Sequence, residues 1–362
     1  MIKVCHLDTE RSWRGGEQQL LYLARGLREA GELNLIAARK DSPLAERTGA
    51  DGFQVLPIDP AFEWDPIRAA DLRRALLAGR FDLLHAHTAH AAALGALATL
   101  GTTIPLIVSR RVDFHLSMNP LTHWKYRRAA KVLTVSSAIK DVLIQDGIAD
   151  DLISVVYSGV DPARLEKNEP LGRREEYGLP ATGALVGQVA ALAPHKDPLN
   201  FVNAIAALKK SRADVCGVMV GTGPLADQVR SQVDTMGLSN TIHLLGFRED
   251  AHRLLRHFDV FVLSSHLEGL GTSILDAMVL GIPVVATRAG GIPEMVEDGV
   301  SGLLVPSRDP QALAAAIDRV LQDASLREKL RQGGYKTAER FTTASMVEAT
   351  RQAYREVLGS RS

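Results

Sequence analysis

Two carboxylates eight positions apart, Glu268 and Asp276, bracket a run of mostly small residues, Gly269, Leu270, Gly271, Thr272 and Ser273. Before the run comes a mostly apolar stretch, Phe258 to Leu263, that reads as a buried strand. After it, from Ser273 to Leu280, the apolar spacing is that of a helix. A strand-to-helix turn of small residues presents backbone N–H groups and the positive end of a helix dipole, a setting suited to phosphate. A carboxylate beside such a turn partners hydroxyls rather than the phosphate. Phosphate together with hydroxyls is the chemistry of a sugar nucleotide.

Other residues join this chemistry by position. His195-Lys196-Asp197 follows the first strand of the second half, where a lysine supplies a point charge for a diphosphate leaving group. In the first half, Trp13-Arg14-Gly15-Gly16-Glu17 lies between the first strand and the first helix; its glycines allow positive φ and close approach of a ligand, or mark a plain turn. His85 and His87 close the fourth strand on one face, which favours sugar or acceptor contact. A metal is the weaker reading, because His90 falls on the next helix and no Cys or carboxylate completes a ligand set. Ser109-Arg110-Arg111-Val112-Asp113 follows the fifth strand. From Leu106 to Lys131 the basic residues Arg110, Arg111, Lys125, Arg127, Arg128 and Lys131 face one acid, Asp113, with Trp124 and Tyr126 interleaved. That pattern reads as a patch for an anionic lipid or glycan surface, or as a solvated helix face. Gly221-Thr222-Gly223 is no dinucleotide fingerprint, since Ala226 stands where the third glycine belongs.

The Glu268–Asp276 stretch, with its continuation Gly281-Ile-Pro-Val-Val-Ala-Thr-Arg-Ala-Gly-Gly-Ile-Pro-Glu294, resembles the Glu-x7-Glu signature of retaining family 4 glycosyltransferases (glycosyl transferases group 1). The likeness covers nearly the whole chain, with its strongest motifs in the second half. It implies the GT-B fold and transfer of a sugar from a nucleoside diphosphate sugar to an acceptor hydroxyl. It implies that Glu268 touches the donor sugar, that Asp276 takes the ribose, and that Gly246 and Phe247 lie at the base. The catalytic set it implies is Glu268, Lys196, His87 and Arg111. Donor binding falls to Gly15, Gly16, Gly246, Phe247, Gly269, Leu270, Gly271, Thr272, Ser273 and Asp276, and the acceptor side to Arg14, His85, Arg110 and Asp113. Gly290, Gly291 and Glu294 are read as donor-proximal or domain-closing, or as a glycine turn capped by a glutamate.

Three positions depart from the family pattern. Asp276 is one methylene shorter than the usual Glu, Ala191 stands where an arginine commonly shares the task of Lys196, and Arg111 replaces a histidine that contacts the donor sugar in many relatives. An arginine there suits an anionic donor substituent, an anionic acceptor, or a salt bridge. With no Asp-x-Asp pair, the resemblance implies no metal and no cofactor beyond the donor substrate. Leaving-group oxygen would take the acceptor proton on the same face, as the retaining family is proposed to do. A cell-envelope glycan or glycolipid is the acceptor class that bacterial relatives suggest. Three alternatives remain: a sugar-nucleotide 2-epimerase of the same fold, a catalytically degenerate glycan-binding protein, and a plain structural α/β protein, the last disfavoured by the small and charged residues gathered at strand ends.

Positioning these residues needs two domains. At 362 residues, with nearly half hydrophobic, the chain is long for one core. Apolar strand-like runs alternate with helical spacing from Ile2 to Tyr157 and again from Ala184 to Val305, which predicts α/β units with doubly wound parallel sheets. We therefore expect a Rossmann-like acceptor domain over residues 1–165, completed by a C-terminal helix over 342–362. A Rossmann-like nucleotide-sugar domain is expected over 166–341, the two facing a central cleft. The polar, proline-containing stretch Arg164–Pro180 reads as the linker. Lys and Arg balance Asp and Glu at 42 each, giving no footprint for nucleic acid. Cys5 and Cys216 sit apart with no metal spacing and read as core thiols of a reducing compartment. No signal segment or spanning stretch is visible, so a cytoplasmic protein is expected, with peripheral contact at the inner membrane surface through the basic run.

Overall fold

The computed structural model describes residues 1–165 and 172–360. Residues 166–171 of the expected linker and domain start, and the terminal pair 361–362, lie outside the described residues. The chain divides into two compact units, Met1–Gly159 with Thr343–Ser362, and Val160–Thr342.

The first unit alternates strand and helix throughout. It runs β1 (Lys3–Leu7), α1 (Gly15–Glu29), β2 (Leu33–Ala38), α2 (Pro43–Ala50), β3 (Gln54–Pro57), α3 (Pro66–Ala78) and β4 (Leu83–Ala86). It continues through α4 (Ala89–Ala98), β5 (Leu106–Arg110), α5 (Pro120–Arg127), β6 (Lys131–Thr134), α6 (Ser137–Gln145) and β7 (Ile153–Val155). Its seven strands are all parallel in the order β3-β2-β1-β4-β5-β6-β7. Such an order reverses direction between β1 and β4, the switch point outside whose carboxyl ends open α/β sheets bind ligands.

The second unit begins with α7 (Pro162–Leu165), then β8 (Ala184–Val189), α8 (Pro198–Lys209), β9 (Val215–Val220), α9 (Ala226–Thr235), β10 (Ile242–Leu244), α10 (Ala251–Leu255) and β11 (Val260–Leu263). There follow α11 (Thr272–Val279), β12 (Val284–Thr287), α12 (Ile292–Met295), β13 (Leu303–Val305), α13 (Pro310–Gln322) and α14 (Ala324–Ala338). Its six parallel strands run β10-β9-β8-β11-β12-β13, so its switch point lies between β8 and β11. The helix α15 (Thr343–Gly359) then packs on α1, back in the first unit.

Polar caps set the helix starts. The side chains of Ser42, Asp65, Thr88, Asn119, Ser136, Asp309 and Asp323 accept from first-turn N–H groups of α2, α3, α4, α5, α6, α13 and α14, each such cap being worth about 1 kcal/mol. Several expectations shift here. Gly15 and Gly16 are the first turn of α1 rather than a loop, and neither has positive φ; Glu17 accepts from the Arg14 N–H at 2.7 Å and starts the helix early. Ser109 and Arg110 belong to β5 rather than follow it. Residues 160–165 group with the second unit, because Val160 pairs with Thr342 and α7 packs on α11. Gly333-Gly334, which ends the apolar spacing in the sequence, lies inside α14; a Cβ at Gly333 would stand 2.0 Å from the Val300 carbonyl oxygen, so the glycine permits close packing. Among the described residues no helix is long and apolar enough to cross a membrane.

Candidate functional site

In the second unit, the carboxyl ends of β8 and β11 carry two loops bound to one another. The His195 carbonyl accepts from the His266 and Leu267 N–H groups at 2.9 and 3.3 Å. Ser264 Oγ donates to the carbonyls of Lys196 and Asp197, at 3.2 and 2.9 Å, and accepts from Gln188 Nε2 at 2.9 Å. Asp197 takes left-handed backbone, φ 46°, and caps α8. These ties bring Lys196 against Glu268, whose Oε2 receives both the Lys196 Nζ and, at 3.0 Å, the Ser265 hydroxyl. The Glu268 carboxylate is buried, while the lysine keeps 19% of its side-chain surface in solvent.

Directly after Glu268, Gly269 and Leu270 are buried, and Gly271 takes φ +90° as the N-cap of α11, so the first-turn amides of Thr272 and Ser273 open the helix beside the ion pair. Asp276 lies one turn on. Both of its oxygens face Arg164 Nη2 of α7, at 3.0 and 3.1 Å. Burial raises the Asp276 carboxyl above the usual carboxylate range, and Arg164 pulls it back down. Gly246 turns with φ +66° and its carbonyl accepts from the Gly221 N–H at 2.8 Å, leaving Phe247 exposed beside it. Ala191, in the arginine position of the family pattern, is exposed.

In the first unit a period-2 pattern on three adjacent strands builds a polar cluster at their carboxyl ends. Val4 leads to His6 and Asp8, Leu83 to His85 and His87, and Ile107 to Ser109 and Arg111. The apolar members join Tyr22, Leu23, Leu27 and Tyr354 of α1 and α15 in one buried cluster. The polar members bond to each other. His85 Nδ1 meets the Tyr354 hydroxyl at 2.6 Å and its Nε2 meets Ser109 Oγ at 2.8 Å. His6 Nδ1 lies 3.0 Å from His87 Nε2, His6 Nε2 lies 3.0 Å from Asn34 Oδ1, and Arg111 Nη2 lies 3.5 Å from His87 Nδ1. Burial lowers all three imidazoles, His6 to about 4, so they are neutral near pH 7. Burial, with Glu17 close by, pushes the Asp8 carboxyl up to about 7. Its Oδ1 accepts from the Glu10 N–H at 2.8 Å, while its Oδ2 is buried without a partner.

His6, His85 and His87 have the reach of a metal trio, with candidate ligand atoms within 4.8 Å of one another. Yet every ring nitrogen of the three already meets a hydrogen-bonding partner, and no carboxylate belongs to the trio. The arrangement is a hydrogen-bond network as it stands.

Two residues expected on the acceptor side make internal hydrogen bonds. Both nitrogens of His85 are taken up internally, and Arg110 is buried with its guanidinium on the Tyr126 hydroxyl (2.9 Å) and the Phe114 carbonyl. Asp113 is also buried, with one oxygen unpartnered; Arg14 is exposed at the N-cap of α1. The basic run is not one free patch. Lys125 is buried in an ion pair with Glu63 at 2.5 Å, and Arg128 donates to the Thr99 carbonyl at 3.1 Å. The residues that the sequence left unmarked are His6, Asn34, Asp8, Tyr354 and Arg164. For His6 and Asp8 a signal existed, the alternation Val4-His6-Asp8 at the end of an apolar strand.

Comparison with known proteins bears on both units. Residues 13–164 match the model described as Glycosyltransferase Family 4, and residues 173–337 the one described as Glycosyl transferases group 1. The chain is 28% identical over 364 residues to a D-inositol 3-phosphate glycosyltransferase of Saccharomonospora viridis, covering 90% of this chain and 84% of that protein. It is 26% identical over 302 residues to the UDP-Gal:alpha-D-GlcNAc-diphosphoundecaprenol alpha-1,3-galactosyltransferase of Escherichia coli, covering 78% and 77%. The crystal structure of Anabaena HepE in complex with UDP-glucose superposes with a TM-score of 0.86 at 26% identity, over 99% of this chain and 100% of that one.

Proposed function

The chain belongs to glycosyltransferase family 4, the group 1 glycosyl transferases, with the GT-B fold, and from that premise we propose that it is a retaining, metal-independent enzyme moving a sugar from a nucleoside diphosphate sugar to an acceptor hydroxyl. The observation that carries this is the Lys196–Glu268 pair at the switch point of the second sheet, beside the first turn of α11. A cation and a helix N-terminus at one place supply the charge that a departing diphosphate needs. Glu268, held by Lys196 and Ser265, retains acceptor capacity for sugar hydroxyls. Asp276 takes the ribose hydroxyls, sharing its oxygens with Arg164. In the first unit Arg111, held on His87, and Arg14 serve sugar and acceptor. The HepE complex with UDP-glucose supports a uridine nucleotide sugar as donor.

An envelope glycan or glycolipid, met on the cytoplasmic side, is the acceptor class we propose, supported by the galactosyltransferase relative that acts on a diphosphoundecaprenol substrate. Exposed Val112, Phe114, Met118 and Leu121, near exposed Arg127, give apolar and basic side chains for peripheral contact with such a surface.

A nucleotide panel and one variant test the reading. UDP is expected to raise the melting temperature above GDP, ADP and CMP, since ligand at about a hundred times Kd adds about 2.7 kcal/mol. Glu268→Gln is expected to keep the far-UV circular dichroism spectrum and lose transfer. Binding of UDP with no transfer by the wild-type chain across lipid-linked acceptors would favour the degenerate binding protein, for which Ala191 and the engaged Asp276 are the structural argument. Inversion of the donor sugar without transfer would mark the epimerase.

A further inference from the structure

Arg111 is a cation without a carboxylate at salt-bridge distance among the described residues; Glu17, Asp8 and the Tyr354 hydroxyl act on it through space alone. Its Nε is buried and unpartnered. What holds its outer nitrogen is a neutral imidazole, His87 Nδ1. A guanidinium only donates, so His87 Nδ1 carries the lone pair and His87 Nε2 the proton. That proton points at His6 Nδ1, which must then accept, placing the proton of His6 on Nε2. His6 Nε2–H needs an acceptor and finds Asn34 Oδ1. The orientation of Asn34 is fixed independently, because its Nδ2 donates to the Glu32 and Ala24 carbonyls at 3.2 and 3.5 Å. One proton arrangement satisfies the whole chain, and it runs in one direction, from Arg111 to Asn34.

We propose that Asn34 and His6 are positioning residues for Arg111, setting the tautomer of His87 through two successive hydrogen bonds, the inner one buried, and so fixing the guanidinium toward substrate. This rests on the reading of Arg111 as a substrate-facing group under Proposed function. The network also explains why two histidines sit where period-2 alternation leaves room for apolar core: a leucine in place of His6 would leave His87 free to adopt either tautomer, and a Nδ1–H tautomer would present a donor to the guanidinium. His85 is not part of this line; its two nitrogens end on Tyr354 and Ser109.

The direct test is the long-range 15N–1H spectrum of histidine-labelled wild-type protein near pH 7. Both His6 and His87 are expected as neutral Nε2–H tautomers. A Nδ1–H tautomer or a charged ring at either residue overturns the chain. So does tight stoichiometric binding of added Zn2+ that His6→Phe abolishes, which would make the trio a metal site. Kinetics then separate the proposal from the reading beneath it. Arg111→Ala, Asn34→Leu and His6→Phe are each expected to lower kcat by roughly ten- to a hundredfold, as small misplacements do, with unchanged far-UV circular dichroism and a cooperative unfolding transition of the first unit as the signs of an intact fold. Asn34→Leu combined with Arg111→Ala is expected to be no slower than Arg111→Ala alone. Wild-type turnover in Asn34→Leu and His6→Phe beside a slow Arg111→Ala overturns the positioning role only. Wild-type turnover in Arg111→Ala overturns the substrate-facing reading and the proposal with it, while leaving the tautomers as found.

Discussion

Lys196→Met tests whether the pair at the second switch point is a true electrostatic unit. Methionine keeps the stem of the lysine and removes only the charge. Taking one partner from a fully buried ion pair costs about 3–5 kcal/mol. Here the lysine keeps 19% of its side-chain surface in solvent and Glu268 8%, and Ser265 remains as a donor to the stranded carboxylate. Screening and that remaining bond bring the expected cost to about 2–3 kcal/mol. In a unit of ~180 residues, 1 kcal/mol moves the transition by about 2–4 °C, so the second unit should melt about 5–10 °C lower. Glu268→Gln keeps the shape and the Ser265 contact and leaves an ammonium able to reach water, for about 1 kcal/mol. The double variant places a neutral amide against methionine and should also lose about 1 kcal/mol, a coupling of about 2–3 kcal/mol within the cycle. Urea unfolding followed by a probe in the second unit, with differential scanning calorimetry alongside, reads all four corners. Additivity within about 0.5 kcal/mol would refute the reasoning, since independent sites add to that accuracy.

Two further outcomes follow from particular atoms. Gly187→Ala would set a Cβ 1.9 Å from the Phe258 ring, and the displaced ring should cost about 1–3 kcal/mol in urea unfolding of the second unit; a cost below about 0.5 kcal/mol would contradict the packing. Asp8 has a folded-state carboxyl raised to about 7, so the fold binds that proton more tightly than the unfolded chain does. Its contribution is therefore full below about pH 4 and is lost as pH rises to about 7, by at most about 4 kcal/mol. The stability difference between wild type and Asp8→Asn, measured from pH 4 to pH 8, should fall with rising pH; a flat difference would mean Asp8 ionises normally.

The second half of the chain was legible because its chemistry is local. Glu268, Gly271 and Asp276 lie within one strand-turn-helix segment, so sequence spacing nearly equals spatial spacing. Lys196 is distant in sequence, but it follows β8 and Glu268 follows β11, strands that pair; alternation alone placed both at strand ends. The first half was harder. Its cluster takes one or two residues from each of β2, β1, β4 and β5, and a hydroxyl from α15, so no short window contains it. His6 looked like a core position because the residues around it, Val4, Cys5 and Leu7, are core. The helix α2 is hard to read from sequence for a related reason, since eight residues give too few turns for a clear apolar period, although Ser42 and Pro43 mark its start. The glycines at the start of α1 misled: Gly15-Gly16 suggested a loop and begins a helix, because close approach and turn formation leave the same residue in the sequence.

The return of α15 to the first unit has a bearing on the order in which the chain becomes folded. During synthesis all of residues 160–342 emerge before Thr343–Gly359, so the second unit has its whole sequence while the first still lacks a helix. Until that helix arrives, Val4, Leu83, Ile107 and Leu133 of the first sheet lack one wall of their packing, and His85 lacks the Tyr354 hydroxyl. Tyr354 is fully buried and carries one of the larger side chains of the interior. The nascent first unit thus waits, apolar face uncovered, for a segment about 180 residues downstream of its own last strand, roughly ten to forty seconds of translation at ordinary rates. A ribosome-bound chain ending near Thr342 would display that face to chaperones, whereas one that extends past Gly359 and clears the exit tunnel would close it.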